Sequence, residues 1–316
     1  MKIKQNYLGF GLFLYFFSIN FAFAITVQLP VNTKDNLVFL DGRVTVKARY
    51  EDTLLDIARR YDLGHDQIKL LNQNVDRWLP GEGTKVKLSN SRLLPEAPRR
   101  GIVINLPELR LYYFVPHKSN EVGQVITHPL GIGRVDWETP LGVTKITGKR
   151  RNPDWYPPDS VKQEHAKDGD PLPDRVPAGP NNPLGRFAMR LGVPGYLIHG
   201  TNKPYGVGMR VSHGCIRMYP EDIQALFPMI QVGTPVNIVN QPIKAGWSGD
   251  VLYVEIHPEH GKQKGSSATY QERLENALNL IEKANNNQVM TLNGRVLKEV
   301  LRRPTGEPIE VFRKKK

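Results

Sequence analysis

Between residues 101 and 239 the chain is cut into short β-branched and aromatic runs, closed again and again by glycine or proline. Gly101–Leu106 and Leu109–Val115 are two such runs meeting at Pro107-Glu108, a hairpin signal. Val122 to Thr127 and Val143 to Thr147 continue the series. Gly185–Leu191 and Tyr196–Ile198 lead up to His199, and Val236–Val239 ends it near Asn240. With 28 glycines and 25 prolines in 316 residues, there is little room for a strand–helix alternation of the doubly wound kind. The pattern predicts an α+β chain that is mainly β, with a sandwich-like or barrel-like domain over 99–240. One helix interrupts it. Tyr219 is placed to cap a helix from Pro220, with Glu221 and Asp222 in its first turn and Ile223, Leu226, Phe227 and Ile230 on its apolar face.

Residues 152–185 break this rhythm with eight prolines and no period. A long irregular stretch inside a compact domain is expected to be functional or mobile. Trp155 and Tyr156, flanked by Pro153, Pro157 and Pro158, are candidates to line a groove there.

The only cysteine of the chain, Cys215, follows Ser212-His213-Gly214, and His199-Gly200-Thr201 lies just upstream. A thiol becomes a nucleophile when a base removes its proton, and imidazole does this within hydrogen-bond reach. His213 stands two residues from Cys215, and in an extended chain such residues share a face. His199 can return to the thiol through the Gly/Pro-rich loop Asn202–Gly208. Gly214 leaves room for a carbonyl to approach backbone N–H groups beside the sulfur. The residues alone leave three alternatives open, one of them that the histidines are satisfied structural residues. Another is a buried inert thiol. The third is a zinc site of His199, His213 and Cys215, which lacks close ligand spacing and a nearby fourth ligand.

The first 24 residues read as a secretory signal peptide. Lys2 and Lys4 precede the apolar run Leu8–Phe17, and Ala22-Phe23-Ala24 is a small-x-small cleavage site. Residues 25–43 follow as an N-terminal segment. Export, expected to the periplasm, makes a lone cysteine informative, because it has no partner within the chain and reads as a free reactive thiol. The formal charge of +12 would suggest nucleic acid in another compartment. For an exported chain an anionic wall polymer or membrane surface is the natural counterpart, and nucleic acid is not expected.

Val44 to Leu88 reads as strand, helix, helix, strand. Asp52 is a candidate N-cap, Leu54, Ile57, Ala58 and Tyr61 share one helix face, and a second helix is expected from Asp66 to Asn72. Residues 89–98 read as a linker. The extension 241–316 carries a strand at Val251–Ile256 and a helix from Ser267 to Asn285, with Leu274, Ala277, Leu278 and Ile281 at helical spacing. A second short helix holds Val296, Leu297, Val300 and Leu301.

Two resemblances bear on these residues. His199-Gly200-Thr201 with Val211-Ser212-His213-Gly214-Cys215-Ile216-Arg217 resembles the signature of the L,D-transpeptidases (the YkuD-type catalytic domain) of bacterial cell-wall metabolism. Arg217 stands where many members carry Asn. The 44–88 unit resembles a LysM module, a binder of peptidoglycan glycan, through Asp52-Thr53-Leu54, Ile57-Ala58, Tyr61 and Leu71-Asn72. Glu51 replaces its usual Gly, and Gln73 its usual Pro.

The family likeness implies a cofactor-free and metal-free cysteine acyl transfer. Cys215 would attack a tetrapeptide stem at the L-centre of meso-diaminopimelate, release D-Ala and pass the acyl group to an amine. It implies His199 as proton donor and acceptor and His213 as a further catalytic candidate. Ser212 and Gly214 would orient the site or bind the oxyanion, while Gly200, Thr201, Arg217, Trp155 and Tyr156 would contact substrate. The 152–185 stretch is similar to the loop that covers the family's cleft. The whole-chain likeness is to the subgroup that attaches an outer-membrane lipoprotein to peptidoglycan, so a lipoprotein lysine is the favoured acceptor over a second diaminopimelate. Water as acceptor would make an L,D-carboxypeptidase, and a dead site would leave a wall-binding scaffold.

Overall fold

The computed structural model describes residues 43–118, 123–259, 268–286 and 290–314, with backbone alone for 25–29 and 38–39. The expected signal peptide lies outside the described residues.

In chain order, β1 (Ile25–Leu29), β2 (Val38–Phe39) and β3 (Val44–Lys47) lead to α1 (Leu54–Arg60), α2 (His65–Leu71) and β4 (Lys85–Leu88). β5 (Arg92–Leu93) pairs with β2, and β3 with β4. The small βααβ unit encloses Leu54, Ile57, Ala58, Leu63, Ile68 and Val86. Each of the leucine, isoleucine and valine side chains contributes about 1.5–3 kcal/mol when fully buried. The cap of α1 is one residue later than expected. Thr53 accepts from the Asp56 N–H while the Asp56 carboxylate accepts from the Thr53 N–H, a reciprocal capping box. Asp52 serves instead as the buried partner of Arg60 and accepts from the Arg49 N–H. The stretch read as a linker is packed at its start: Ser89, Ser91, Arg92, Leu93 and Leu94 are buried, and the Leu93 N–H donates to Glu255.

The strands of the stretch 99–240 are β6 (Gly101–Asn105), β7 (Arg110–Val115), β8 (Gly123–Pro129), β9 (Ile132–Gly133), β10 (Gly142–Arg151), β11 (Phe187–Leu191), β12 (Leu197–His199), β13 (Arg210–Ser212), β14 (Ile216–Arg217) and β15 (Pro235–Val239). One sheet runs β1-β8-β7-β6-β15-β10-β11-β12-β14, while β13 pairs with β9. Most neighbours are antiparallel, but β15 lies parallel to β6 and β12 parallel to β14. Ile102, Ile104, Leu111, Met189, Ile198 and Ile216 line one face of this sheet, against Ile223 and Leu226 of α4 (Pro220–Leu226). The expected mainly β architecture is observed. Tyr219 occupies the N-cap position of α4, but its hydroxyl donates to the Leu63 carbonyl instead of capping the helix.

Residues 152–185 contain an element that their prolines concealed, α3 (Asp159–Lys167). The prolines fall before and after it, leaving Asp159 to Lys167 free of them. The C-terminal extension forms β16 (Ile243–Ser248), β17 (Val251–Ile256), α5 (Tyr270–Ala284), α6 (Gly294–Arg302) and β18 (Ile309–Arg313). Its three strands form their own sheet and pack on both helices around Leu252, Val254, Ala277, Ile281 and Leu301. Among the described residues no helix is long and apolar enough to cross a membrane.

Candidate active site

The sheet brings the two parts of the sequence signature together. β12 and β14 are parallel neighbours with Ile198 opposite Ile216 and His199 opposite Arg217. Cys215 therefore enters β14 beside the strand that ends on His199. The half-buried thiol faces the Gly195 carbonyl at 3.7 Å. Burial pushes its pKa up, while the Leu197 N–H and the charge of Arg217 pull the other way. The burial effect prevails, so in the free enzyme the sulfur carries its proton at neutral pH and needs a base.

His199 is buried, at 3% exposure. Its Nδ1 lies 2.5 Å from the Gly200 carbonyl. A carbonyl can only accept, so Nδ1 carries the ring proton and Nε2 is left with a lone pair. Burial first, then the positive charge of Arg217, holds the ring pKa down to about 3 against the opposing Gly200 bond. His199 is thus a neutral imidazole of fixed tautomer across the physiological range. Gly200 continues the strand pairing through its N–H to Phe187. Thr201 is buried, and its hydroxyl accepts from the Lys203 N–H, which shapes the turn after the histidine.

His213 is held differently. Gly214 adopts φ +98°, so the chain is not extended between His213 and Cys215, and the shared face expected for residues i and i+2 does not form. A Cβ on Gly214 would meet the Tyr196 ring at 2.9 Å, a second reason for glycine there. The His213 Nε2 sits 3.1 Å from Glu164 Oε2 of α3. The same carboxylate takes both oxygens to within 2.5 Å of Arg134 Nη2, and Trp137 meets the His213 ring edge-on at 5.2 Å. Burial lowers the His213 pKa, and Glu164 opposes this. Arg134 holds Glu164 below the usual carboxylate range.

Ser212 donates to the Cys215 carbonyl at 2.5 Å, closing the turn that presents the thiol. Thr139, which the sequence did not single out, braces the same turn by donating to the Gly214 carbonyl at 3.0 Å. Arg217 acts electrostatically on both Cys215 and His199. Its Nε is buried with no hydrogen-bond partner among the described residues.

Trp155 makes a backbone bridge to Val176 at the base of the 152–185 excursion, and Tyr156 is 65% exposed. Among the described residues no hydrogen bond or ring contact links either to Cys215, His199 or His213. The rings that meet His213 and Gly214 are instead those of Trp137 and Tyr196. Nor do His199, His213 and Cys215 form a metal-binding group among the described residues. Glu164, Arg134 and Trp137 carried no sequence signal, because only the tertiary fold brings their loops to His213.

Residues 99–238 match the model of the L,D-transpeptidase catalytic domain, YkuD. The chain is also 39% identical over 267 residues to the probable L,D-transpeptidase YcfS of Escherichia coli (strain K12), covering 81% of each chain. The chain belongs to the L,D-transpeptidase family. Two further relatives from the same organism are the probable L,D-transpeptidases YbiS and ErfK/SrfK. They are 39% identical over 238 residues and 38% identical over 247 residues. The first match covers 75% of this chain and 76% of YbiS, the second 78% of each. This L,D-transpeptidase is therefore an enzyme of peptidoglycan transpeptidation. Its matches to these relatives are longer than the catalytic stretch alone.

Proposed function

We propose that this L,D-transpeptidase acts in the periplasm through Cys215 and His199 and transfers a peptidoglycan stem to the lysine of an outer-membrane lipoprotein. The observation that carries the catalytic reading is the bond from His199 Nδ1 to the Gly200 carbonyl. It leaves the Nε2 lone pair available on the strand beside the chain's only thiol.

The steps follow from that arrangement. Nε2 takes the Cys215 proton as the sulfur attacks the carbonyl of the L-centre of diaminopimelate. The imidazolium returns this proton to the D-Ala amine as the C–N bond breaks, leaving a thioester. An incoming amine gives its proton to Nε2, attacks the thioester and expels the thiolate, which recovers the proton. Arg217 supplies a fixed positive charge near the developing negative charge. Ser212, Thr139 and Gly214 shape the turn that presents the sulfur, while Gly200 and Thr201 shape the strand end that presents the imidazole. His213, held by Glu164, forms the rim toward α3 and is a positioning group rather than the base.

The lipoprotein preference rests on the resemblance of the sequence to the lipoprotein-attaching subgroup. The LysM-like module is proposed to hold the glycan in a fixed orientation, since it is bonded directly to the catalytic domain. The N–H groups of His65 and Asp66 donate to the carbonyls of Val207 and Gly208, on the loop between the two catalytic residues. A competition assay tests the acceptor by offering tetrapeptide-rich muropeptides together with a lysine-terminated lipoprotein peptide. A stem–lysine adduct is expected. Diaminopimelate–diaminopimelate dimers alone would replace the preference with cross-linking, and free tripeptide alone would replace it with hydrolysis.

A further inference from the structure

Two buried clusters of two carboxylates and one imidazole lie where the flanking units meet the catalytic domain: Glu108, Glu255 and His257 toward the C-terminal extension, and Asp62, His128 and Asp222 toward the N-terminal module. Their chemistry is alike and their occupancy is not. In the first, the Lys244 ammonium contacts Glu108 and lies 2.8 Å from Glu255 Oε1, so a side-chain cation neutralises the acids. His257 Nε2 is 2.5 Å from Glu255. That cluster is complete.

In the second, both Asp62 oxygens, Asp222 Oδ2 and both His128 ring nitrogens are buried without a hydrogen-bond partner among the described residues. All three residues are at most 3% exposed. Arg110 does not fill the gap. Its guanidinium donates to Thr127 Oγ1 at 3.1 Å and to the Asp62 carbonyl at 2.8 Å, leaving the Asp62 carboxylate 3.9 Å away. His128 Nδ1 stands 3.5 Å from Asp222 Oδ1 and 3.9 Å from Asp62 Oδ1. A proton shared between ring and carboxylate would draw the atoms to about 2.7–3.2 Å. The observed separations instead approach those of two ligands on a common ion, since bonds of about 2.0–2.2 Å in a tetrahedron set ligands about 3.3–3.6 Å apart.

We propose that Asp62, His128 and Asp222 bind one divalent cation that staples the N-terminal module to the catalytic domain. Asp62 follows α1 of the module, His128 lies on β8, and Asp222 lies on α4, the helix after the catalytic cysteine strand. An imidazole among the ligands favours a Zn2+-type ion over Mg2+ or Ca2+, which prefer oxygen ligands. The fourth position falls to a second oxygen of one carboxylate or to water. The cation's competitor is a proton on His128. Burial opposes that proton, but the two carboxylates outweigh burial and lift the ring to about 9.

The test uses the full chain carrying Cys215→Ala, so that zinc cannot be held by the catalytic thiol. After exposure to Zn2+ and exhaustive dialysis, elemental analysis is expected to find one equivalent per chain. The thermal midpoint should rise by about 5 °C at a hundredfold excess over Kd and fall back with chelator. Adding His128→Gln or Asp62→Asn should abolish both effects. Co2+ bound to the Cys215→Ala chain provides a readout that does not require those variants to fold, with visible bands of a low-coordinate nitrogen–oxygen site expected. No retained metal and no midpoint shift would leave the junction held by a proton and overturn the proposal. Undiminished retention by a folded His128→Gln chain, or an octahedral Co2+ spectrum of a loosely held aqua ion, would overturn it too.

Discussion

His199 is fixed by a strand, a backbone carbonyl and burial, whereas His213 is fixed by a carboxylate on a surface helix. The first arrangement sets the tautomer, because a carbonyl cannot give a proton back, and its strand is paired on both sides. The second depends on Glu164, 31% exposed, and on Arg134, which holds it. Partly exposed ion pairs of this kind hold a side chain weakly and weaken further with salt. A proton-transfer group needs a defined lone pair in a defined place, and that need is met at His199.

The largest effect is expected at the thiol that this comparison concerns. Cys215→Ala should abolish acylation and leave the fold unchanged. A carbapenem should add one drug mass to the wild type and none to the variant, by intact-mass analysis. Labelling of the variant would move the nucleophile elsewhere. Gly214→Ala is expected to follow. Its Cβ would enter the Tyr196 ring at a positive φ, displacing the turn that presents the sulfur. A loss of about a hundredfold in acylation is expected, with the far-UV circular dichroism retained.

The pH profile separates the two histidines more finely. With His199 at about 3 and the thiol above its usual range, neither group changes charge between about pH 5 and about pH 8. The acylation rate should therefore be flat there. A base of ordinary imidazole pKa, about 6.5, would instead lose activity as the pH falls through that value. An acid limb that disappears in His213→Gln would assign the base to His213, whose pKa burial holds below the ordinary imidazole value. The smallest effect is expected for Glu164→Gln, which keeps the shape of the rim and removes its charge. Acylation should change by less than about fivefold, and the difference should shrink in high salt.

The strand-held part of the site was legible in the sequence, because the residues bringing His199 and Cys215 together are local runs of alternating or β-branched residues with glycine between them. The mainly β architecture, the helix after Tyr219 and the βααβ unit were legible for the same reason. Thr53 as the cap of α1 was within reach as well, since Asp56 three residues on completes the capping box. The rim was not legible. Glu164 lies on a short, polar helix inside a proline-rich excursion, and its partners Arg134 and His213 come from distant loops. Nor did the sequence reveal how firmly the module is seated. A Cβ on Gly208 would lie 2.1 Å from the His65 nitrogen, so loop and module meet backbone to backbone. Deleting 44–88 would therefore strip bonded partners from the loop between the catalytic residues.

Single-turnover acylation of His199→Ala and His213→Ala, measured side by side by stopped flow, tests the division of roles most directly. The rate of His199→Ala is expected to fall by about 10²–10⁴, the range of general acid–base assistance. The rate of His213→Ala should stay within about tenfold of the wild type. The reverse order would contradict the assignment of His199 as the base.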